Sequence, residues 1–154
     1  MRIVAGRWAG RDLASPGRRV RPTAEAVRDA ALSWVAEEVV GARFLDLFAG
    51  TRAVGLEALS RGAASVDFVE RSPAALHALK ANVAGLRARD SSRIFKRDAL
   101  AFMFGLAPGS YDVAYVDPPY TSALAVRVVE RWLEAPFARV LVVDNGSEDG
   151  TPAR

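Results

Sequence analysis

Five short apolar runs, each followed by a stretch of helical spacing or a loop, constrain this 154-residue chain more than any other feature of it. They are RFLDLFA (43–49), SVDFVE (65–70), RIFKRDA (93–99), YDVAYVD (111–117) and RVLVVDN (139–145). Runs that are apolar without strict alternation belong to strands covered on both faces. Helices between the strands supply that cover, so the order predicts an α/β fold with a mostly parallel sheet. Such sheets bind ligands beyond the carboxyl ends of their strands. The residues with chemistry to offer gather there: Asp46 and Gly50, then Glu70, Asp98 and Asp117.

The helices are marked by their ends. Ala53–Arg61 reads as a helix closed by Gly62 at C′. Ser72 caps and Pro73 starts the next, with Leu76, Leu79 and Val83 on one face. LAFMFG (100–105) is a short apolar helix, and Ala125, Val128, Val129 and Trp132 mark another. Before the first strand, Val27, Ala30, Ala31, Trp34 and Val35 recur at i, i+3, i+4, i+7 and i+8, with Thr23 as N-cap. Trp34 and Trp132 are therefore expected in the core. RIVAGRWAGRDL (2–13), broken by Gly6 and Gly10, reads as a small hairpin. The expected division is a basic hairpin and loop over 1–22, the main domain over 23–145 and a disordered tail over 146–154.

Composition removes several function classes. No apolar run reaches the ~18 residues of a membrane span, and no apolar h-region follows the basic N-terminus. Cysteine is absent, which excludes disulfides and thiolate metal sites. His77 is the only histidine, and its helix carries no further ligands, so no metal is expected. A cytoplasmic monomer is the expectation. The net charge of +3 is uneven, because residues 1–28 hold seven arginines against two acids. A basic arm on a near-neutral body suits a polyanion, although a solvated N-terminus carries the same charge.

FLDLFAGTRAVG (44–55) is the turn after the first strand. A glycine there lets backbone approach a ligand, and Glu70 at the end of the second strand is placed for ribose hydroxyls. The dinucleotide pattern G-x-G-x-x-G is not met. Asp46, four residues before Gly50, suits a cationic ligand head better than a pyrophosphate, which favours S-adenosylmethionine over NAD. Alternatively, Asp46 caps a neighbouring helix and Gly50 only permits the turn.

YVDPPY (115–120) carries the reaction. Two prolines after a buried strand cannot continue a ladder and stiffen the loop above the site. Asp117 and the Pro118 carbonyl can accept both N–H groups of a nucleobase amine. That frees its lone pair and stabilises the charge that develops on methylation. Tyr120 offers a ring on which an extruded base can stack.

Taken together, RIVAGRWAGRDL, the loop with RPTAEAVRD, DLFAGTRAVGLEALSRGAASVDFVER and DVAYVDPPY resemble the RsmD family of bacterial 16S ribosomal RNA guanine-N2 methyltransferases, in order, over roughly 1–145. The resemblance implies a class I, Rossmann-like methyltransferase fold using S-adenosylmethionine on 16S rRNA or the small subunit. It implies that the turn Asp46–Gly50, with Phe48, holds the methionine moiety. Glu70, with Arg71 beside it, holds the ribose, and Asp98 and Ala99 sit at the adenine. Arg21, Pro22 and Thr23 line the mouth, and Asp117, Pro118, Pro119 and Tyr120 hold the guanine. Arg2, Arg7, Arg11, Arg18, Arg19 and Arg21 are the arginines offered to RNA.

Two departures stand out. Arg52 replaces a family glycine in the turn, and the final strands of the family fold are expected to be missing after DNGSEDGTPAR (144–154). An RNA-binding relative without activity, or a methyltransferase for a DNA adenine or a protein glutamine, are the rival readings. Trp8 and Asp144 receive no defined task.

Overall fold

The computed structural model describes residues 1–15, 22–50, 54–118 and 122–144, with backbone only at 22–24 and 122. Arg18, Arg19, Arg21, Arg52, Ala53, Pro119, Tyr120 and the 146–154 tail lie outside the described residues, as does the side chain of Thr23.

Helices α1 (Pro22–Trp34) and α2 (Ala36–Val39) lead into β1 (Arg43–Leu47). Then come α3 (Val54–Ser60), β2 (Ser65–Glu70), α4 (Pro73–Gly85), β3 (Ser92–Lys96), α5 (Ala99–Phe104), β4 (Tyr111–Val116), α6 (Ser122–Glu134) and β5 (Ala138–Val143). The described strands form one sheet in the order β3-β2-β1-β4-β5, and every pair in it is parallel. The chain therefore turns back at β1, with β2 on one side and β4 on the other. That is the switch point where open parallel sheets leave a crevice at their carboxyl ends.

Side chains alternate between two packed layers. Phe44, Val66, Phe68, Val113 and Tyr115 join the core beneath α1 to α4. Leu45, Leu47, Val69, Ala114 and Val116 join a second core with Phe102 and Met103 of α5 and Val128 of α6. Gly55 is what lets α3 sit close: a Cβ there would lie 2.5 Å from both Phe68 and Val66 side-chain carbons. No helix of the described residues is long and apolar enough to cross a membrane.

The N-terminal hairpin reduces to one antiparallel bridge, Arg2 with Asp12. It is docked rather than loose. Ile3 and Leu13 are buried in the first core. Glu57, 1% exposed, accepts from Val4 N and Ala5 N, and pairs with Arg28 and Arg61 at 3.3 and 3.1 Å. Arg28, 3% exposed, donates to the Arg2 carbonyl. One of the seven arginines of the basic segment is thus an internal ion-pair partner rather than surface charge.

Three expectations are corrected. Helix α1 begins at Pro22, so Thr23 lies inside it and is not its N-cap; a proline suits the first helical position, where no N–H is needed. Trp34 is 73% exposed rather than core. The buried side of α1 is Val27, Arg28, Ala31 and Leu32, with Arg28 paired to Glu57, and Trp34, the last residue of the helix, lies at the edge of that side. Third, β3 stops at Lys96 instead of running to Ala99, because Asp98 accepts from Ala101 N and caps α5. Trp132 is half-buried, and its indole donates to the Ala138 carbonyl.

Candidate active site

Register brings the strand-end residues together. Leu47 of β1 is level with Val69 of β2 and Val116 of β4. Beyond that level β1 runs into Phe48, β2 ends at Glu70 and β4 is followed by Asp117, so Glu70 and Asp117 come from the two strands that flank β1 at the switch point. Asp46 lies one step behind, level with Phe68 and Tyr115 and on the α3 face.

The turn after β1 is held from below and from the side. Phe48 and Gly50 both have left-handed backbone, with φ of 62° and 55°. A side chain costs ~1–2 kcal/mol in that region, so Gly50 is favoured where it stands and Phe48 carries strain. Such strain persists only where the surroundings enforce it and gathers at functional sites. Ala49 N donates to the Val69 carbonyl, tying the turn to β2. Gly50 N donates to Glu70 Oε1 at 2.7 Å. Arg71 N and Ser72 N donate to Glu70 Oε2 at 2.8 and 2.7 Å. Glu70 therefore fixes the mouth of the turn and the entry of α4 with one carboxylate.

Asp46 is 1% exposed, and Gly55 N donates to its Oδ2 at 2.8 Å, holding the first turn of α3. The capping role is thus real. Burial raises its pKa to about 7, and the neighbouring charges Asp117 and Glu70 push the same way. Asp117 is half-buried at the site's edge and Pro118 is buried. Asp98 caps α5 and meets Arg71 at 3.5 Å on the surface. Ala99 is buried at the start of α5.

Asp144, which the sequence left without a task, belongs to this layer. It follows β5, is 7% exposed, and accepts the Tyr115 hydroxyl at 3.0 Å. Burial, followed by the charges of Asp144 and Asp117, raises the Tyr115 pKa, so the phenol stays a donor. A strand-final acid in each of two neighbouring strands was the available signal. The crevice is therefore floored by carboxylates at the ends of β1, β2, β4 and β5, a poor bed for pyrophosphate and a good one for a cationic ligand. Among the described residues no group of acids or histidines is placed to hold a metal ion.

The described arginines among those offered to RNA lie elsewhere. Arg2, Arg7 and Arg11 are exposed on the hairpin. Arg7 N bonds the carbonyl of Ser60, the last residue of α3, and the Arg11 guanidinium bonds that of Gly85, the last of α4. Those helices run opposite to the strands, so this end of the hairpin sits away from the crevice.

Comparison with known proteins follows the same lines. Residues 1–147 match the family described as Conserved hypothetical protein 95. Ribosomal RNA small subunit methyltransferase D of Escherichia coli K12 is 34% identical, over 99% of this chain and 78% of its own length. A solved structure described as a putative methyltransferase, yhhF, from Escherichia coli is 32% identical with a TM-score of 0.80, covering 99% of this chain and 84% of that one. The solved SAM-dependent methyltransferase from Agrobacterium tumefaciens is 25% identical with a TM-score of 0.52, over 64% of this chain and 32% of that one.

Proposed function

The chain belongs to the family described as Conserved hypothetical protein 95, the RsmD family, and on that premise we propose that it methylates the exocyclic N2 amine of a guanine in small-subunit ribosomal RNA, with S-adenosylmethionine as donor. The observation that carries the reading is the register itself: Glu70 ends β2 and Asp117-Pro118 follows β4, the two strands that flank β1, whose carboxyl end runs into the Phe48–Gly50 turn at the switch point of the sheet.

The residues fit the donor. It is cationic at its sulfonium and its ammonium, and Asp46, Glu70 and Asp117 form the anionic floor it would meet. When bound, it supplies an electrophilic methyl group. Phe48 and Gly50 would lie along its amino-acid part, Glu70 and Arg71 at the ribose, and Asp98 and Ala99 at the base. Thr23 and Arg21 would line the entrance.

The work of this chain is positioning. The Asp117 carboxylate and the Pro118 carbonyl accept the two N–H groups of the target amine and turn its lone pair out of conjugation with the ring. The same acceptors stabilise positive charge as the N–C bond forms. Tyr120 would stack on the extruded guanine. Pro118 and Pro119 limit the loop's freedom, so little order remains to be gained at the moment of transfer.

The test is transfer of labelled methyl to unmodified small subunits and to bare 16S rRNA, followed by digestion to nucleosides. Label in N2-methylguanosine is expected. Label in another nucleoside, or none from protein that binds the donor, contradicts the reading.

A further inference from the structure

We propose that the outer face of α4, together with the hairpin limb laid against its end, is a track for the RNA backbone leading from the crevice to the far end of the molecule. This rests on the reading of RNA as substrate and adds where the strand runs.

Three observations converge. First, α4 has no acid in its sequence, PAALHALKANVAG, and its exposed positions fall on one face: Ala74, His77, Lys80, Ala81 and Ala84. Small residues between the polar ones leave that face open to close approach by a strand. Exposed Arg87 and Arg89 follow beyond its end, with exposed Asp90 after them. Second, the hairpin continues the cationic line. Asn82 of α4 is 7% exposed and is bonded in both directions to the backbone of Ala14, at 2.8 and 2.9 Å. Arg11 reaches the Gly85 carbonyl at 3.1 Å. The limb is thus fixed beside α4, not free to swing. Third, the other outer faces differ. The side chains described on α1 and α2 include Glu25, Asp29, Glu37 and Glu38, while their one arginine, Arg28, is buried against Glu57. On α6, Arg127 and Arg131 alternate with Glu130 and Glu134. Among the described residues, the α4 side therefore offers cations with no acid on the helix itself, the exposed acids Asp90 and Asp12 lying beyond its end and on the limb.

The direction follows from the fold. Helix α4 starts at Pro73, two residues after Arg71 and three after Glu70, and ends at Gly85 beneath Arg11. Thirteen residues at ~1.5 Å each span about 20 Å. That is long enough for several phosphates of a strand whose target base is turned into the crevice.

The test compares salt dependence of binding to bare unmodified 16S rRNA for three proteins: the parent, a Lys80→Gln/Arg87→Asn double variant, and a charge-matched control, Arg127→Gln/Arg139→Gln. Asparagine tolerates the left-handed backbone at position 87, where φ is 55°. Each lost phosphate contact lowers the slope of log K against log salt by ~0.7 to 0.9, so the track variant should lose about 1.4 to 1.8. The control should keep the parental slope, and donor affinity by calorimetry should be equal in all three. Lys80→Gln alone, on an exposed helix face, should lose about half as much and guards against a folding defect at position 87. A parental slope in the track variant, from a parent that binds RNA, overturns the track and leaves the methyltransferase reading intact. Equal losses in track and control variants also overturn it. So does loss of polyglutamate binding without loss of RNA binding, which would assign the face to an acidic protein. A parent with no salt-dependent RNA affinity contradicts both readings.

Discussion

Asp46 and Glu57 are buried to the same degree, 1% exposed each, and both accept backbone N–H groups. Both also act on α3, Asp46 at its first turn and Glu57 from its middle. Their electrostatic company is opposite. Glu57 lies between Arg28 and Arg61 and holds the hairpin, α1 and α3 together. Asp46 feels only Asp117 and Glu70 among the described charges, and burial leaves its pKa at about 7. A buried charge with its counter-ions built in is part of the scaffold. A buried acid whose described neighbours are further acids is a place where a cationic ligand improves the balance. The difference separates the end of the molecule that is closed on itself from the end that is waiting for something.

The sharpest break of this comparison is on the Glu57 side. Glu57→Ala leaves Arg28 buried with its main counter-charge gone, and one-sided removal of a buried pair costs about 3–5 kcal/mol. Urea unfolding should show that loss; a loss below about 1 kcal/mol would mean the network is not structural. On the site side, Asp117→Ala should cut methyl transfer at saturating donor by ~10²–10³. Retention of most of the activity would remove Asp117 from the reaction. Glu70→Ala should weaken the donor and its demethylated product alike. A charged hydrogen bond contributes ~1.5–3 kcal/mol, which is about ten- to hundredfold in affinity. An unchanged dissociation constant would take Glu70 out of the site.

Much of this was legible where local chemistry and global fold agree. The β1 run, the Ser72-Pro73 start of α4, and the acids at strand ends could be read because burial and capping leave marks in residue type. What could not be read depends on partners far apart in sequence. Periodicity placed Trp34 in the core because counting apolar residues assigns arginine to the surface. Arg28 lies inside, drawn there by Glu57, 29 positions further along the chain. Asp144 was opaque for the same reason, since its work is to accept a hydroxyl from Tyr115 on the neighbouring strand. Asp98 was misplaced by a shorter-range effect: a side chain that captures Ala101 N ends the strand and starts a helix. The turn itself was readable as a turn, while Asp46's hold on Gly55 stood in the sequence only as an alternative.

Asp46, a buried acid whose described charged neighbours are acids, is reached through its protonation. The folded-state pKa of Asp46 is raised to about 7 from 3.8, so between those values the folded protein holds a proton that the unfolded chain releases. Its contribution to stability is therefore full below the lower value and is lost as pH rises through about 7. Asp46→Asn should flatten that dependence. A cation bound against the acid floor lowers the pKa again, so donor binding at pH 6 should expel close to one proton. Calorimetric titration with S-adenosylmethionine in buffers of different ionisation enthalpy counts it. The account predicts release of about one proton at pH 6, little at pH 8.5, and none at either pH in Asp46→Asn, whose affinity should also fall. Equal proton counts and equal affinities in parent and variant would contradict it.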